Sequence, residues 1–177
     1  MLKERVQELK HELVNYAGLI ENMIDKSTKA FESKDEYVLT QVIEQDEKKA
    51  NDYEIDLEEK CTSVIAQFQP TAKDLRTVLM ILKINNDLER MGDLAVSICR
   101  NIKYFISHPL TKMFRYTTDM VQSTVKMLNK SISSFINEDA AMASDVCESD
   151  NKVDQLKDKI WRDTIAQMIE DSSYVEQ

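Results

Sequence analysis

The stretch QPTAKDLRTVLMILKINNDLERMGDLAVSICRNI, residues 69–102, decides the fold class. Its apolar residues recur at intervals of three and four, which is the repeat of a helix with one buried side. This stripe, continued to residue 105, consists of Ile81, Ile84, Leu88, Met91, Ala95, Ile98, Ile102 and Phe105. Pro70 breaks the helical pattern before the stretch and Pro109 breaks it afterwards. The stretch therefore predicts one long amphipathic helix that packs against other helices.

The rest of the chain carries the same helical repeat. We expect four further helices, at about 2–31, from a capping box at Ser33–Glu36 to about Phe68, at about 111–136 and at about 138–171. Only two glycines and two prolines occur in 177 residues. Sheets need frequent turns, and turns use these residue types, so the scarcity argues against strands. The sequence predicts an all-α protein.

Two tandem units are expected. Helices of about 30 residues are ~45 Å long, and short connections favour an antiparallel three-helix bundle over residues 1–107. The pattern restarts after Pro109, and EQDEKKANDYE (44–54) resembles ESDNKVDQLKD (148–158). We interpret this as an internal repeat of about 100 residues. The second unit, 110–177, then contains two helices only and is incomplete.

Charge and composition argue against nucleic-acid-binding, secreted and membrane-spanning proteins. A formal net charge of −9 gives no cationic surface for nucleic acid. The N-terminus is charged rather than signal-like, and no apolar run approaches the ~18 residues of a membrane span. Three separated cysteines do not indicate a disulfide framework. We expect a cytoplasmic protein that reaches a membrane only through partners.

Acidic residues border the apolar stripes at helical spacing. Those on the second helix are Glu44, Glu47, Glu54 and Glu58, with Asn51 among them; later pairs are Glu89 with Asp93 and Asp150 with Asp154. Like charges at i, i+4 destabilise a helix by about 0.2–0.5 kcal/mol per pair. Two compensations remain open: a hard cation bound by converging carboxylates, or nearby lysines and arginines, namely Lys48, Lys49, Arg76 and Arg90.

Catalytic patterns are weak. Glu8 and His11 form one Glu-x-x-His, whereas a di-iron bundle needs two copies with further glutamates. No histidine stands in a useful relation to a serine, and no glycine-rich loop is present to bind a nucleotide. Gly92, inside the third helix, predicts a close helix contact or space beside the acids. We do not expect an enzyme.

Two segments together resemble the PhoU family. Residues 69–102 are similar to its Pro-x-Ala-x-Asp-Leu-Arg entry and its Leu-Glu-Arg-Ile-Gly-Asp core. The matching positions are Pro70, Ala72, Asp74, Leu75, Arg76, Leu88, Glu89, Arg90, Gly92 and Asp93, with Met91 in place of Ile. The segment VCESDNKVDQLKDKIWRDTIAQMIED, residues 146–171, is similar to the helix of the second repeat.

The resemblance implies two three-helix bundles, a homodimer and negative control of phosphate uptake and of the phosphate regulon. It implies action by contact, between the ATPase subunit of a phosphate ABC transporter and a phosphate-sensing histidine kinase. It also implies divalent or iron ions in carboxylate sites, with no organic cofactor. By position, the first site would use Glu89 and Asp93, with Glu47 and Asn51 facing them, and the second would use Asp150 and Asp154.

One departure from the family pattern stands out. Family members end with a sixth helix that carries a second core motif, and this sequence stops at Gln177 where that helix would begin. We expect apolar surface on the last two helices to need a partner. A carboxylate-rich bundle that binds or stores hard metal ions is the alternative function. The cytoplasmic tail of a phosphate cotransporter is disfavoured by Met1 and the absence of an apolar span.

Overall fold

Within the residues that the structure describes, seven consecutive helical segments follow the sequence pattern. A computed structural model describes residues 1–107 and 116–170. The segments are α1 (Leu2–Ser33), α2 (Glu36–Gln41), a π-helical turn (Val42–Asp46), α3 (Glu47–Phe68), α4 (Ala72–Ser107), α5 (Thr117–Asn137) and α6 (Ala140–Glu170). No strand occurs in these two described ranges, and the all-α prediction is confirmed. The predicted break at Pro109 lies outside the described residues.

The first unit is a three-helix bundle. The helix α1 packs against both α3 and α4, and α3 packs against α4. Because short turns join these long helices, neighbours run antiparallel and bury one stripe each. The buried centre is made by Leu13, Tyr16, Ile20, Met23, Leu57, Cys61, Ile81 and Leu88. This packing fixes how the acidic borders of α3 and α4 face each other.

The second unit is a helical hairpin on the side of the first. The helix α5 packs on α1 and on α6, whereas α6 contacts α5 alone among the described helices. Leu128 and Ile132 of α5 join the common core, and Leu156 is the buried position of α6. Several large apolar side chains of α6 remain exposed: Trp161, Ile165, Met168 and Ile169. The hairpin is therefore joined to the bundle mainly through one helix.

The predicted second helix contains an irregular turn. Residues Val42–Asp46 form a π-helical turn, which is wider than an α-turn and changes the phase of the residues that follow. Glu44 in this turn is exposed, while Asp46 is 2% exposed and bound to Lys26 at 2.7 Å. The prediction that Glu44 lies on one regular face with the α3 acids is wrong, because the wide turn separates them.

The capping box predicted at Ser33–Glu36 is also wrong. The hydroxyl of Ser33 donates to the Lys29 carbonyl at 2.9 Å, inside α1. Asp35 is the N-cap of α2, and its carboxylate accepts from the backbone amides of Tyr37 (3.0 Å) and Val38 (3.2 Å). Lys34 adopts a left-handed conformation, with φ of 56°, and so ends α1 two residues later than Phe31. The chain therefore turns at Lys34, between Ser33 and Glu36, and these two residues cannot form a capping box together.

The buried stripe of α4 differs from the predicted one at one position. Ile98 is 50% exposed, whereas Cys99 and Val96 are buried. Over a helix this long, the 3.6-residue repeat drifts against a three-four pattern, so an apolar residue beside the stripe can point outward. Ile98 and Leu94, which is 64% exposed, lie one turn apart on the outer side of α4. The prediction of Ile98 as a core residue is therefore wrong.

Replacing Asp35 should test the start of the second helix. We expect Asp35→Ala to lower the free energy of unfolding by about 0.5–2 kcal/mol, because two backbone amides lose their acceptor. Urea denaturation followed by circular dichroism measures this change. The matched control is Ser33→Ala, which should have the smaller effect. A larger loss at Ser33 than at Asp35 would contradict the cap geometry.

Candidate functional site

The acids of α4 meet a glutamate of α3 at the border of the first bundle. Glu89 and Asp93 stand one turn apart on α4. Partial burial raises the pKa of Glu89, and the neighbouring charges of Asp93 and Glu54 add to the rise, against a small opposing effect of Arg90. Among the described residues, no lysine or arginine forms an ion pair with Glu89 or Asp93, since Lys26 and Arg100 bind the other acids Asp46 and Glu47. The pair therefore carries unbalanced negative charge.

Buried polar groups lie beside these carboxylates. Tyr16 of α1 is fully buried and stacks on Tyr53 with ring centroids 5.6 Å apart. Burial raises the pKa of Tyr16, and the charges of Glu54, Glu89 and Asp93 raise it further. Within the described ranges, the Tyr16 hydroxyl has no hydrogen-bond partner. A buried hydroxyl without a partner is costly, which marks a place for a further polar group.

Asn85 extends this polar strip along α4. Its side-chain amide is fully buried and donates to the Glu54 carbonyl at 2.9 Å. The Asn85 side-chain oxygen accepts no hydrogen bond from the described residues. Two orphaned polar atoms, Tyr16 Oη and Asn85 Oδ1, therefore occur in the bundle that carries Glu89 and Asp93.

Gly92 lets the helices approach at the same level. A Cβ atom at Gly92 would lie 3.1 Å from Ile20 Cδ1 and 3.8 Å from Ala50 Cβ. The first distance is tighter than ordinary van der Waals contact, so any side chain at position 92 would require Ile20 Cδ1 to shift. The predicted close helix contact at Gly92 is confirmed. Asp93 comes directly after this contact, and its position depends on it.

The other predicted ligands of the first site are placed differently. Glu47 of α3 faces Arg100, whose Nη2 lies 3.4 Å from Oε1 and 3.5 Å from Oε2. Asn51 is exposed. Arg100 follows Asp93 by seven residues, so Glu47 pairs with α4 two turns beyond the Glu89–Asp93 pair. Among the described residues, Glu47 therefore pairs with Arg100 of α4 and with none of the nearby cations considered from the sequence, Lys48, Lys49, Arg76 and Arg90.

The acids of the second unit lie on an open helix surface. Asp150 and Asp154 are exposed on α6, and Asp154 accepts from Lys157 Nζ at 2.6 Å. The hydrogen bond to Asp154 raises the pKa of Lys157, and the charges of Asp154, Asp158 and Asp150 contribute as well. Because α6 contacts α5 alone in the described part, no other described helix faces these acids.

Metal-binding geometry is incomplete in this conformation. In residues 1–107 and 116–170, no group of three or more His, Cys, Asp or Glu side chains lies close enough to hold a metal ion. Glu89 and Asp93 nonetheless fit part of a hard-cation site, since they supply two carboxylates with an orphaned hydroxyl nearby. The six predicted ligands, Glu47, Asn51, Glu89, Asp93, Asp150 and Asp154, stay a prediction.

Sequence reasoning missed three polar residues of the first bundle. Tyr16 was hidden because tyrosine between apolar positions is ordinary core composition, and Asn85 because it follows the apolar Ile84 of the stripe. Asp46 was missed because the π-helical turn rotates it inward toward Lys26. Asn85 alone left a readable signal, since an amide one turn from Ile81 and Leu88 needs a buried partner.

Comparisons with known proteins decide the family. The model of the PhoU domain matches residues 13–102 and 117–176. The chain belongs to the PhoU family. The two matched stretches fall on the first bundle and on the α5–α6 hairpin, as expected of two tandem helical repeats.

Named relatives align with nearly the whole chain. The phosphate-specific transport system accessory protein PhoU homolog of Aquifex aeolicus is 34% identical over 96% of this chain and 76% of its own length. PhoU of Escherichia coli K12 is 31% identical over 94% of this chain and 69% of its own. These relatives are longer than the part that matches.

Solved structures share the fold. PhoU from Pseudomonas aeruginosa superimposes with a TM-score of 0.92 at 24% identity, over 99% of this chain and 84% of that one. The phosphate transport system regulatory protein PhoU from Streptococcus pneumoniae gives 0.88 at 23% identity, over 97% and 80%. Among the described helices of the present chain, none is long and apolar enough to cross a membrane.

Neutralising Glu89 should change the pH dependence of stability. The folded-state pKa is raised above its ordinary value of 4.5, so the charged form is disfavoured in the folded chain. We expect Glu89→Gln to be more stable than the wild type at pH 7 in EDTA, by about 0.2–0.5 kcal/mol or more. The difference should shrink as the pH falls from the raised folded-state pKa to 4.5, and it should be lost below 4.5, where the carboxyl is protonated in both states.

Thermal unfolding between pH 4 and pH 8 measures this difference. The control is Glu59→Gln, since Glu59 is exposed on α3 and its replacement should give a flatter pH profile. A Glu89→Gln protein that is less stable than the wild type at pH 7 would show that the Glu89 charge is compensated in the folded state.

Proposed function

We propose that this protein is a negative regulator of phosphate uptake and of phosphate-regulon signalling. The observation that carries the proposal is membership of the PhoU family over both repeats, together with relatives named as accessory proteins of phosphate-specific transport. The regulation works by protein contact in the cytoplasm. Its partners are the ATPase subunit of a phosphate ABC transporter and a phosphate-sensing histidine kinase.

A contact role suits the chemistry of the surface better than catalysis does. Burial raises the pKa of Cys61 to about 12 and of Cys99 to about 11. Both thiols stay protonated at neutral pH, and a protonated thiol is a poor nucleophile. Leu94 and Ile98, by contrast, expose apolar surface on the outer side of α4. Exposed apolar groups at adjacent turns of a helix are typical of protein contacts.

A reporter of phosphate-starvation genes tests this function. Bacteria that lack their own PhoU, grown in phosphate-rich medium, should show low alkaline phosphatase activity when they express this chain. The double substitution Leu94→Lys with Ile98→Lys should restore high alkaline phosphatase activity, because positive charge at these two exposed positions of α4 opposes docking of a partner protein. Ser97→Lys is the matched control, since Ser97 is exposed on the same helix. High activity with the folded wild-type chain would overturn the proposal.

The purified wild-type chain also tests the proposed homodimer. We place the homodimer contact on α6, where Trp161, Ile165 and Met168 are spaced by four and three and remain exposed. Such a stripe can pack on its own copy. Light scattering should then give about twice the mass of one chain, and a monomer at micromolar concentration would exclude this contact.

Binding of hard metal ions is the second candidate function. The observation that favours it is the unbalanced Glu89–Asp93 pair beside the orphaned Tyr16 hydroxyl. We propose that these two carboxylates hold a divalent or iron ion, which supplies positive charge where two acids crowd. Family resemblance adds Glu47 and Asn51 from α3, and it adds Asp150 and Asp154 as a second site.

Manganese titration separates the two proposed sites. We expect Mn²⁺ to raise the melting temperature of the wild type, by the mass action of a ligand that binds only the folded state. Glu89→Gln with Asp93→Asn should abolish most of the shift, and Asp150→Asn with Asp154→Asn should remove the rest. Glu58→Gln with Glu59→Gln is the control pair on α3. Equal shifts in all four proteins would indicate unspecific binding to acidic surface.

A further inference from the structure

A groove with several cations lies where the α5–α6 turn meets the first bundle. Its volume is about 510 Å³, and α1, α4, α5 and α6 all contribute to its walls. Lys10, Lys73 and Arg76 supply the positive charge, and Met80, Ile84 and Phe135 supply an apolar floor. In a chain whose formal net charge is −9, three cations on one groove are a local exception.

Lys10 is a buried cation with weak partners. The residue is 8% exposed. Its ammonium nitrogen lies 3.5 Å from the Ile136 carbonyl oxygen and 3.7 Å from Glu138 Oε1. Charge-assisted hydrogen bonds are usually about 2.7–2.9 Å long. An ammonium group that has left water needs a closer anion than the groove gives it.

Glu138 is the anion that the groove now contains. Its carboxylate stands between two lysines, with Oε2 2.5 Å from Lys73 Nζ and Oε1 directed to Lys10. The hydrogen bond from Lys73 and the charges of both lysines hold the pKa of Glu138 below its usual range. Glu138 ends α5 in a left-handed conformation, with φ of 55°. One monovalent carboxylate thus serves two cations.

Arg76 lies one turn after Lys73 and completes the set. Among the described residues, its guanidinium has no hydrogen bond or ion pair, although it lines the same groove. The second acid of the groove, Asp139, accepts from the Met142 amide at 2.9 Å as the cap of α6. A planar guanidinium binds two oxygens of one oxyanion at once.

We propose that Lys10, Lys73 and Arg76 form a binding site for a phosphoryl dianion, which replaces the Glu138 carboxylate. A dianion has more charge and more acceptor oxygens than a carboxylate, so it can serve all three cations together. The site does not depend on the regulatory function proposed above. The apolar floor of the groove determines which phosphoryl compound binds more tightly. A nucleotide gains contacts with Met80 and Phe135, whereas inorganic phosphate does not.

Titration of the full chain with inorganic phosphate tests the site. In chloride buffer of constant ionic strength, nitrogen–proton correlation spectra should show saturable shifts centred on Lys73, Arg76 and Glu138. Arg76→Gln should weaken phosphate binding by about tenfold or more. Glu138→Gln should strengthen it, because the competing carboxylate is removed. Lys83→Gln, on the exposed surface of α4 outside the groove, should leave the affinity unchanged.

Adenosine monophosphate is the second probe. Tighter binding than phosphate, lost in Arg76→Gln, would identify a nucleotide as the source of the phosphoryl group, and equal or weaker binding would identify free phosphate. The absence of saturable shifts with both probes would overturn the proposal. An affinity that Glu138→Gln and Arg76→Gln leave unchanged would also overturn it, since both side chains line the groove.

Discussion

The close approach of three helices at Gly92 is the contact on which the first bundle depends. Ile20 of α1 and Ala50 of α3 reach α4 there because Gly92 has no side chain. An apolar interior packed to this density resists displacement, so the approach also fixes what lies at its border. Glu89 and Asp93 stand on either side of Gly92 in sequence, and their charges meet Glu54 through this packing. The helix packing at Gly92 therefore brings the negative charges of Glu89, Asp93 and Glu54 together in the candidate site.

The helices and their order were predictable from the sequence. The irregular turn inside the second predicted helix and the residue that caps its start were not. The 3.6-residue repeat and the two prolines mark long helices because burial on one side demands that spacing. The π-helical turn at Val42–Asp46 adds no distinctive composition, so it could not be read. Ser33 and Asp35 can both cap a helix, and the choice of Asp35 follows from the left-handed conformation of Lys34.

The candidate site was predictable where one helix supplies it and not where two helices must meet. Spacing alone puts Glu89 and Asp93 on one face of α4. The partner of Glu47 depends on the axial alignment of α3 and α4, and that alignment brings Arg100 to Glu47. Asp150 and Asp154 have the same spacing as the first pair, yet α6 has no facing helix beyond α5 in the described structure. Equal spacing in the two repeats thus gives unequal surroundings.

The way in which the second unit is attached to the first bundle also follows from the different surroundings of the two repeats. Because α6 contacts α5 alone in the part of the chain described, the hairpin is joined through α5 and through Glu138 in the turn after it. Regions with few buried contacts open at lower free energy than a packed core. Lys10 and Lys73 belong to α1 and α4, so their bonds to Glu138 connect the hairpin to two helices of the rigid bundle. The pairing of Glu138 therefore contributes to how the hairpin is held against α1 and α4.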